Sequence, residues 1–329
     1  MHAAFYRNFG AAREVLELGE VHTPAPGPGE VLVRLRTSAI NPSDVKKRAG
    51  AFPELLDDGF VIPDSDGAGI IEAVGDGVDK RRKGERVWVY QAQHERRFGT
   101  AAEYVAISSN CAPRLPEEAD FDVGACLGIP AMTAHRAVFG DGEVEGRALL
   151  VMGGAGRVGH YAIQWAHHGG ATVIATASNP EDEAACLEAG ADHVVDHRVA
   201  DFARQVLAAS GGDLIDRVVD PEFGANLPVS IAVLRVGGTI AAYGSAKKPE
   251  PLLPFYRMMY KDLTLHTIIV YAMPDSAKDH AVADISSALS GGWLKHRVAH
   301  SLPLDDIAAG NELVESGKVR GTVILNIGG

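Results

Sequence analysis

Apolar and polar positions alternate through VLVRLRTSAI (31–40), the period of a strand with one buried face, and RVWVYQ (86–91) is again strand-like. Between them GIIEAVGDGV carries a glycine-rich turn, so the first third of the chain predicts short strands joined by turns. From about Asp122 the pattern changes to apolar β-branched runs alternating with helix-length segments, the mark of a parallel sheet. Strands are expected at Ala148–Met152, Thr172–Ala177, His193–Asp196, Leu214–Asp220, Gly238–Tyr243 and Leu263–Thr267. RVGHYAIQWAHH, PEDEAACLEA, VADFARQVLAA and ANLPVSIAVL supply the helices between them, with glycines 169, 170 and 190 placed as C-caps. After about Tyr271 come two helical stretches and a strand, TVILNI, expected to return to the β-rich part. The predicted division is 1–121 for a β-rich domain, 122–267 for a doubly wound α/β domain and 268–329 for the return.

A length of 329 residues fits two domains, each able to bury its own core. The net charge of −12 disfavours a phosphate backbone or an anionic membrane as main partner. Three dispersed cysteines (Cys111, Cys126, Cys186) form neither a disulfide framework nor a zinc cluster and fit a reducing compartment. The N-terminus lacks a signal-peptide core and no run reaches the ~18 apolar residues of a membrane span. A soluble, cytoplasmic protein is expected.

Gly154-Ala155-Gly156-Arg157-Val158-Gly159 matches GxGxxG between an apolar strand and an amphipathic helix. In that context the first glycine makes the tight turn, the second admits a pyrophosphate, and the third lets the helix pack on the strand. The anion then meets the helix N-terminus. At the end of the second strand, where NAD-binding folds usually carry an acid for the ribose hydroxyls, stand Ala177, Ser178 and Asn179. In the usual strand order His197 and Arg198, ending the third strand, approach the same ribose. This favours NADPH; Arg198 also fits a solvated surface charge, and the acidic pair Glu181 and Asp182 nearby opposes full selectivity.

A collinear series of motifs resembles one family: AINPSDVKKRAG (39–50), IPDSDGAGIIEAVGDGV (62–78), LGIPAMTAHRAV (127–138), GGAGRVGHYAIQWA (153–166), GGTIAAYGS (237–245) and GKVRGTVILNI (317–327). The chain is identified as similar to the zinc-free medium-chain dehydrogenase/reductases, specifically the quinone oxidoreductases related to zeta-crystallin. The resemblance implies a GroES-like catalytic domain split around a Rossmann domain, NADPH as cofactor and a homodimer or higher homo-oligomer. It implies zinc-independent hydride transfer to a quinone, with an enone or 2-alkenal as the alternative acceptor and a non-catalytic, crystallin-like NADPH-binding role as the third reading.

By that resemblance Asn41 and Thr133 lie at the nicotinamide and acceptor, and Tyr243, Gly244 and Ser245 bind the cofactor at the end of the fifth strand. Asn41 equally fits a helix or turn cap, and Thr133 a cap or packing position. Zinc-dependent relatives place a cysteine at Asn41 and a His-Glu pair at Ser65-Asp66, so no metal is expected. Several relatives carry tyrosines where this chain has Lys46 and Phe52. His135 and His160 read as packing or surface residues.

Overall fold

The computed structural model describes residues 1–328, which divide into two compact units: Met1–Ile129 with the residues from Val282 on, and Pro130–Ala281. The first run contains β1 (His2–Phe5), α1 (Ala12–Val15), β2 (Glu17–Glu20), β3 (Glu30–Ile40), α2 (Pro42–Arg48), β4 (Asp66–Val74), β5 (Arg86–Val89), β6 (Tyr104–Ser108) and α3 (Phe121–Ala125). The second unit contributes α4 (Met132–Phe139), β7 (Ala148–Val151), α5 (Arg157–His168), β8 (Thr172–Ala177), α6 (Pro180–Glu188), β9 (His193–Asp196), α7 (Phe202–Ala209) and β10 (Ile215–Asp220). It continues through α8 (Phe223–Val233), β11 (Leu234–Ala242), α9 (Phe255–Met259) and β12 (Thr264–Thr267). The chain then runs through α10 (Asp275–Ser290), β13 (Val298–Pro303), α11 (Ile307–Glu315) and β14 (Thr322–Asn326).

β3 organises the first unit. One of its edges pairs with β4, while the other is shared, Glu30–Arg34 pairing with β6 and Thr37–Ile40 with the returning β14. Its alternating Val31, Val33 and Leu35 face a core that includes Ile71, Val87, Val105, Ile107, Val323 and Leu325. Each such side chain contributes about 1.5–3 kcal/mol by leaving water. The C-terminal segment belongs here because β14 supplies backbone partners to half of β3 that no nearer strand provides. The sequence-based boundaries at 121/122 and 267/268 fall short of the unit limits. α3 lies in the first unit and the Ile129 N–H donates to Asp66 of β4, which carries that unit to residue 129.

In the second unit six parallel strands lie in the order β12-β11-β10-β7-β8-β9. Leu149, Leu150, Val173, Ile174, Val218, Val219, Ile240 and Ala241 are fully buried, so side chains are covered on both faces of the sheet. Strand order reverses between β7 and β10, the place where such sheets open a crevice at their carboxyl ends. β8 and β9 have the expected limits, whereas β11 begins four residues early, at Leu234, through an irregular register opposite Ile215–Arg217. The apolar segment after β12 does not prolong the strand: pairing stops at Thr267 and a 3₁₀ turn follows at Val270–Ala272. Among the described residues no helix is long and apolar enough to cross a membrane.

Candidate active site

The loop between β7 and α5 is built by close approach. Gly153 has φ +66°, and a Cβ on Gly159 would strike the Gly153 carbonyl. A Cβ on Gly154 would lie 2.7–3.0 Å from Cys186 Sγ, Ile163 Cδ1 and Ala175 Cβ. Thr176 on β8 holds the loop, its Oγ1 accepting the Gly153 N–H at 2.8 Å and its carbonyl the Gly154 N–H at 3.0 Å. Gly156 is the extended N-cap from which Arg157, Val158 and Gly159 enter α5. Ala155 is buried between these glycines. The arrangement aims a helix N-terminus out of a glycine-rich turn whose one side chain, that of Ala155, is buried, the geometry suited to a pyrophosphate. His135 and His160 are buried packing residues; His135 stands edge-on to Trp165, with centroids 5.2 Å apart.

A cavity of about 210 Å³ opens at the carboxyl ends of β8 and β9, lined by Ser178, Asn179, Glu183, Asp196 and Arg198 among others. His197 is exposed and absent from the lining. Asn179 turns its amide to α6, accepting the Asp182 N–H at 2.9 Å and donating to Asp182 Oδ2 at 2.8 Å, so Asp182 is engaged in a cap and Glu183 is the glutamate at the cavity. Arg198 is clasped by Asp196, its Nη2 and Nε donating at 2.7 and 3.0 Å, and these bonds draw the Asp196 carboxyl down to about 2. At the end of β11 the Tyr243 N–H donates to the Asp220 carbonyl, and burial raises the Tyr243 phenol's pKa. A Cβ on Gly244 would meet the Pro221 carbonyl. Ser245 Oγ accepts the Gly224 N–H at 2.9 Å and donates to the Lys248 carbonyl at 2.6 Å, which ties the loop to the start of α8.

In the first unit Asn41 ends β3 and starts α2, with only 1 % of its surface exposed. Its backbone N–H donates to Asp44 Oδ2 at 2.8 Å, and its side-chain Nδ2 donates to Asp66 Oδ2 at 2.8 Å. It is therefore both a helix cap and an amide held by a buried carboxyl. The Ile129 N–H adds a second donor to Asp66 Oδ2 at 2.8 Å, while Asp66 Oδ1 is packed against Gly128, where a Cβ would overlap it. Burial pushes the Asp66 carboxyl up to about 8, against the pull of the Ile129 and Asn41 hydrogen bonds. Asp44 and Asp64 are also fully buried and raised by loss of water.

Lys47 is buried with these acids, whereas its neighbour Lys46 is exposed, as the charged run suggests. Phe52 is exposed, yet a phenol does stand near: Tyr6, fully buried beside Asp44 and Asp64, is pushed up to about 12 by burial. The residues that sequence reasoning missed are Asp44, Lys47, Asp64 and Tyr6. For Asp44 and Lys47 the one signal was their separation by three positions, which puts them on one face of α2. Thr133 lies in the second unit on α4, 5 % exposed, directly after a π-helical turn at Leu127–Ala131 that contains Pro130. Such turns recur at functional sites.

The chain matches the family described as alcohol dehydrogenase GroES-like domain over residues 27–117 and that described as zinc-binding dehydrogenase over residues 158–287. It is 30 % identical to the quinone oxidoreductase of Rattus norvegicus over 95 % of this chain and 94 % of the relative. It is 28 % identical to a 2-haloacrylate reductase of a Burkholderia species over 99 % and 98 %. Among solved structures, an NAD-dependent alcohol dehydrogenase is 30 % identical with a TM-score of 0.88 over the whole of both chains. A mycobacterial protein solved with NADPH is 27 % identical with a TM-score of 0.87 over 99 % of this chain and 100 % of that one. Where zinc-dependent relatives carry a cysteine and a His-Glu pair, this chain has an amide (Asn41), a hydroxyl (Ser65) and a carboxyl (Asp66), so Asp66 alone keeps a usual zinc-ligand type, and the Lys47 ammonium lies 3.3 Å from Ser65 Oγ. Among the described residues no group of three or more His, Cys, Asp or Glu side chains is arranged to hold a metal ion. With similarity running through both units and nearly end to end, the chain belongs to the quinone oxidoreductase family of the medium-chain dehydrogenase/reductases.

Proposed function

We propose that the protein is an NADPH-dependent reductase of quinones or similarly conjugated carbonyls that works without zinc. The observation that carries this reading is a complete dinucleotide-binding loop in a chain whose acceptor-site candidate, Asn41, is an amide held by a buried acid instead of a metal ligand. When bound, the nicotinamide supplies the hydride. The chain's part is to hold the pyrophosphate at α5, hold the 2′-phosphate at Ser178 and Arg198, and orient a hydrogen-bond donor toward the acceptor oxygen. An acceptor already activated by conjugation suits a site that polarises with hydrogen bonds alone.

The family resemblance that assigns Asn41 to the acceptor also assigns Thr133, whose hydroxyl is a second hydrogen-bond donor. The similarity to a 2-haloacrylate reductase supports the conjugated alkene as the second acceptor class. A small quinone and a straight-chain enone, each assayed with NADPH and with NADH, test the reading. Turnover of either with NADPH preferred supports it, and tight NADPH binding without turnover of either refutes it in favour of a non-catalytic role.

The assembly we propose is a dimer through the second unit. β12 is an edge strand, and α9 beside it exposes Tyr256 and Tyr260 at 66 and 76 %, with Leu252 at 86 %. Light scattering at micromolar concentration should give twice the chain mass, and a Tyr256→Asp/Tyr260→Asp variant the single mass. A wild type that is monomeric refutes this assembly.

A further inference from the structure

Lys47 is 4 % exposed, and a lysine is almost never buried to that degree without partners. Its Nζ donates to the Gln93 carbonyl at 2.6 Å and to Ser65 Oγ at 3.3 Å. Ser65 in turn donates to Asp44 Oδ1 at 3.1 Å, Asp44 Oδ2 accepts the Asn41 N–H, and Asn41 Nδ2 donates to Asp66. An unbroken chain of hydrogen bonds thus runs from the ammonium to Asp66 and passes through both ends of Asn41.

Asp64 gives a second, independent observation. It has φ +73°, in the region that favours glycine, yet it is a fully buried aspartate whose Oδ2 accepts from Ser38 Oγ at 3.1 Å. A glycine there would relieve the backbone and remove a buried acid. The chain keeps an acid at this strained backbone position beside the buried Lys47 ammonium.

We infer that Lys47 is a positioning residue for the reduction: its ammonium is the counter-charge that holds Asp44, Asp64 and Asp66 in one network and, through Ser65 and Asp44, fixes the Asn41 amide in the orientation the acceptor meets. This rests on the reading of Asn41 as an acceptor residue. The groups facing Lys47 are Asp44 from α2 itself and Asp64 and Asp66 from the entry to β4; Tyr6 after β1 lies beside Asp44 and Asp64 and also feels the Arg48 charge. Arg48 is turned away, its guanidinium bonded to the Gly10 carbonyl, Asn311 and Glu315. Lys47 is therefore the cation directed at the acids. Burial lowers its pKa and Asp44, Asp66 and Asp64 hold it up; by reciprocity it lowers theirs.

The experiment compares Lys47→Met and Lys47→Arg in the full-length protein. With a small quinone, Lys47→Met should lose about tenfold or more in kcat while the NADPH Kd, read by fluorescence titration, stays unchanged; Lys47→Arg should recover most of the loss. The infrared carbonyl band of protonated Asp66, assigned by its absence in Asp66→Asn, should titrate at higher pH in Lys47→Met, since an opposite charge has been removed. An unmoved titration overturns the inference whatever the activity. A moved titration with kcat unaltered overturns the positioning role. A wild type without turnover refutes the proposed function, while the infrared titration still decides the counter-charge. If Lys47→Met does not fold, Lys47→Met/Asp64→Gly should fold better, and a double variant no better than the single one overturns the inference.

Discussion

Asp66→Asn should flatten the response of stability to pH between about 5 and 7. The Asp66 carboxyl is fully buried and pushed up to about 8, chiefly by loss of water, with the charge of Asp44 adding and the Ile129 N–H, Asn41 and Lys47 opposing. In the unfolded chain an aspartate titrates near 3.9. Between those values the folded protein holds a proton that the unfolded chain has released, so stability falls as pH rises: the contribution is complete below about 4 and lost above about 8. One pH unit corresponds to about 1.4 kcal/mol per proton, so from pH 5 to 7 this group alone removes up to about 3 kcal/mol. Asparagine keeps an oxygen to accept from the Ile129 N–H and Asn41 Nδ2, and sets an uncharged amide nitrogen where Oδ1 faces Gly128. It mimics the protonated acid and titrates nothing. Trp88, buried on β5 and paired across from Ala68 on Asp66's own strand, reports unfolding of this sheet in urea. Curves at pH 5, 6 and 7 should converge for the wild type and variant as the pH falls, or cross, but should not run parallel. Parallel dependence on pH in the two proteins would mean that Asp66 is ionised in the fold and that the burial argument fails.

Arg198→Ala should raise the KM for NADPH about tenfold while leaving that for NADH nearly unchanged, because a charge-assisted contact to a 2′-phosphate is lost. Asp196→Asn, which frees the guanidinium from its carboxylate, should lower the KM for NADPH in the same steady-state assay; equal effects on both cofactors would remove Arg198 from the 2′-phosphate site. Asn41→Ala and Thr133→Ala should each reduce kcat by about 5- to 150-fold with little change in the NADPH Kd, and unchanged kinetics in both would place the acceptor elsewhere. Exhaustive chelation should leave turnover intact; stoichiometric zinc whose removal abolishes activity would refute the zinc-independent reading.

Local pattern carried the strands of the second unit and the helices between them, with the start of β11 and the limits of the unit as exceptions. Apolar runs such as those of β7, β8 and β9 are legible because a strand covered on both faces has no solvent side to blur it, and the glycines at 154, 156 and 159 are legible because their backbone needs are local. The same holds for α5, whose residues 157–168 are bounded by a glycine on each side. Other features depended on partners far along the chain. KKR reads as a solvated run, yet Lys47 is buried because Gln93, 46 residues away, supplies an acceptor and three carboxyls gather from two segments. Arg217 interrupts the apolar pattern of β10 and is nonetheless buried, since Asp141 pairs with it and the Ala137 and Val138 carbonyls accept its protons. Arg198 is visible as a cation, but not that Asp196 holds it. A segment's own period reports which face prefers water, a free energy that residues a few positions apart decide among themselves. Whether a charge can leave water depends on counter-charges and hydrogen-bond partners brought by other segments, and only the tertiary structure supplies them.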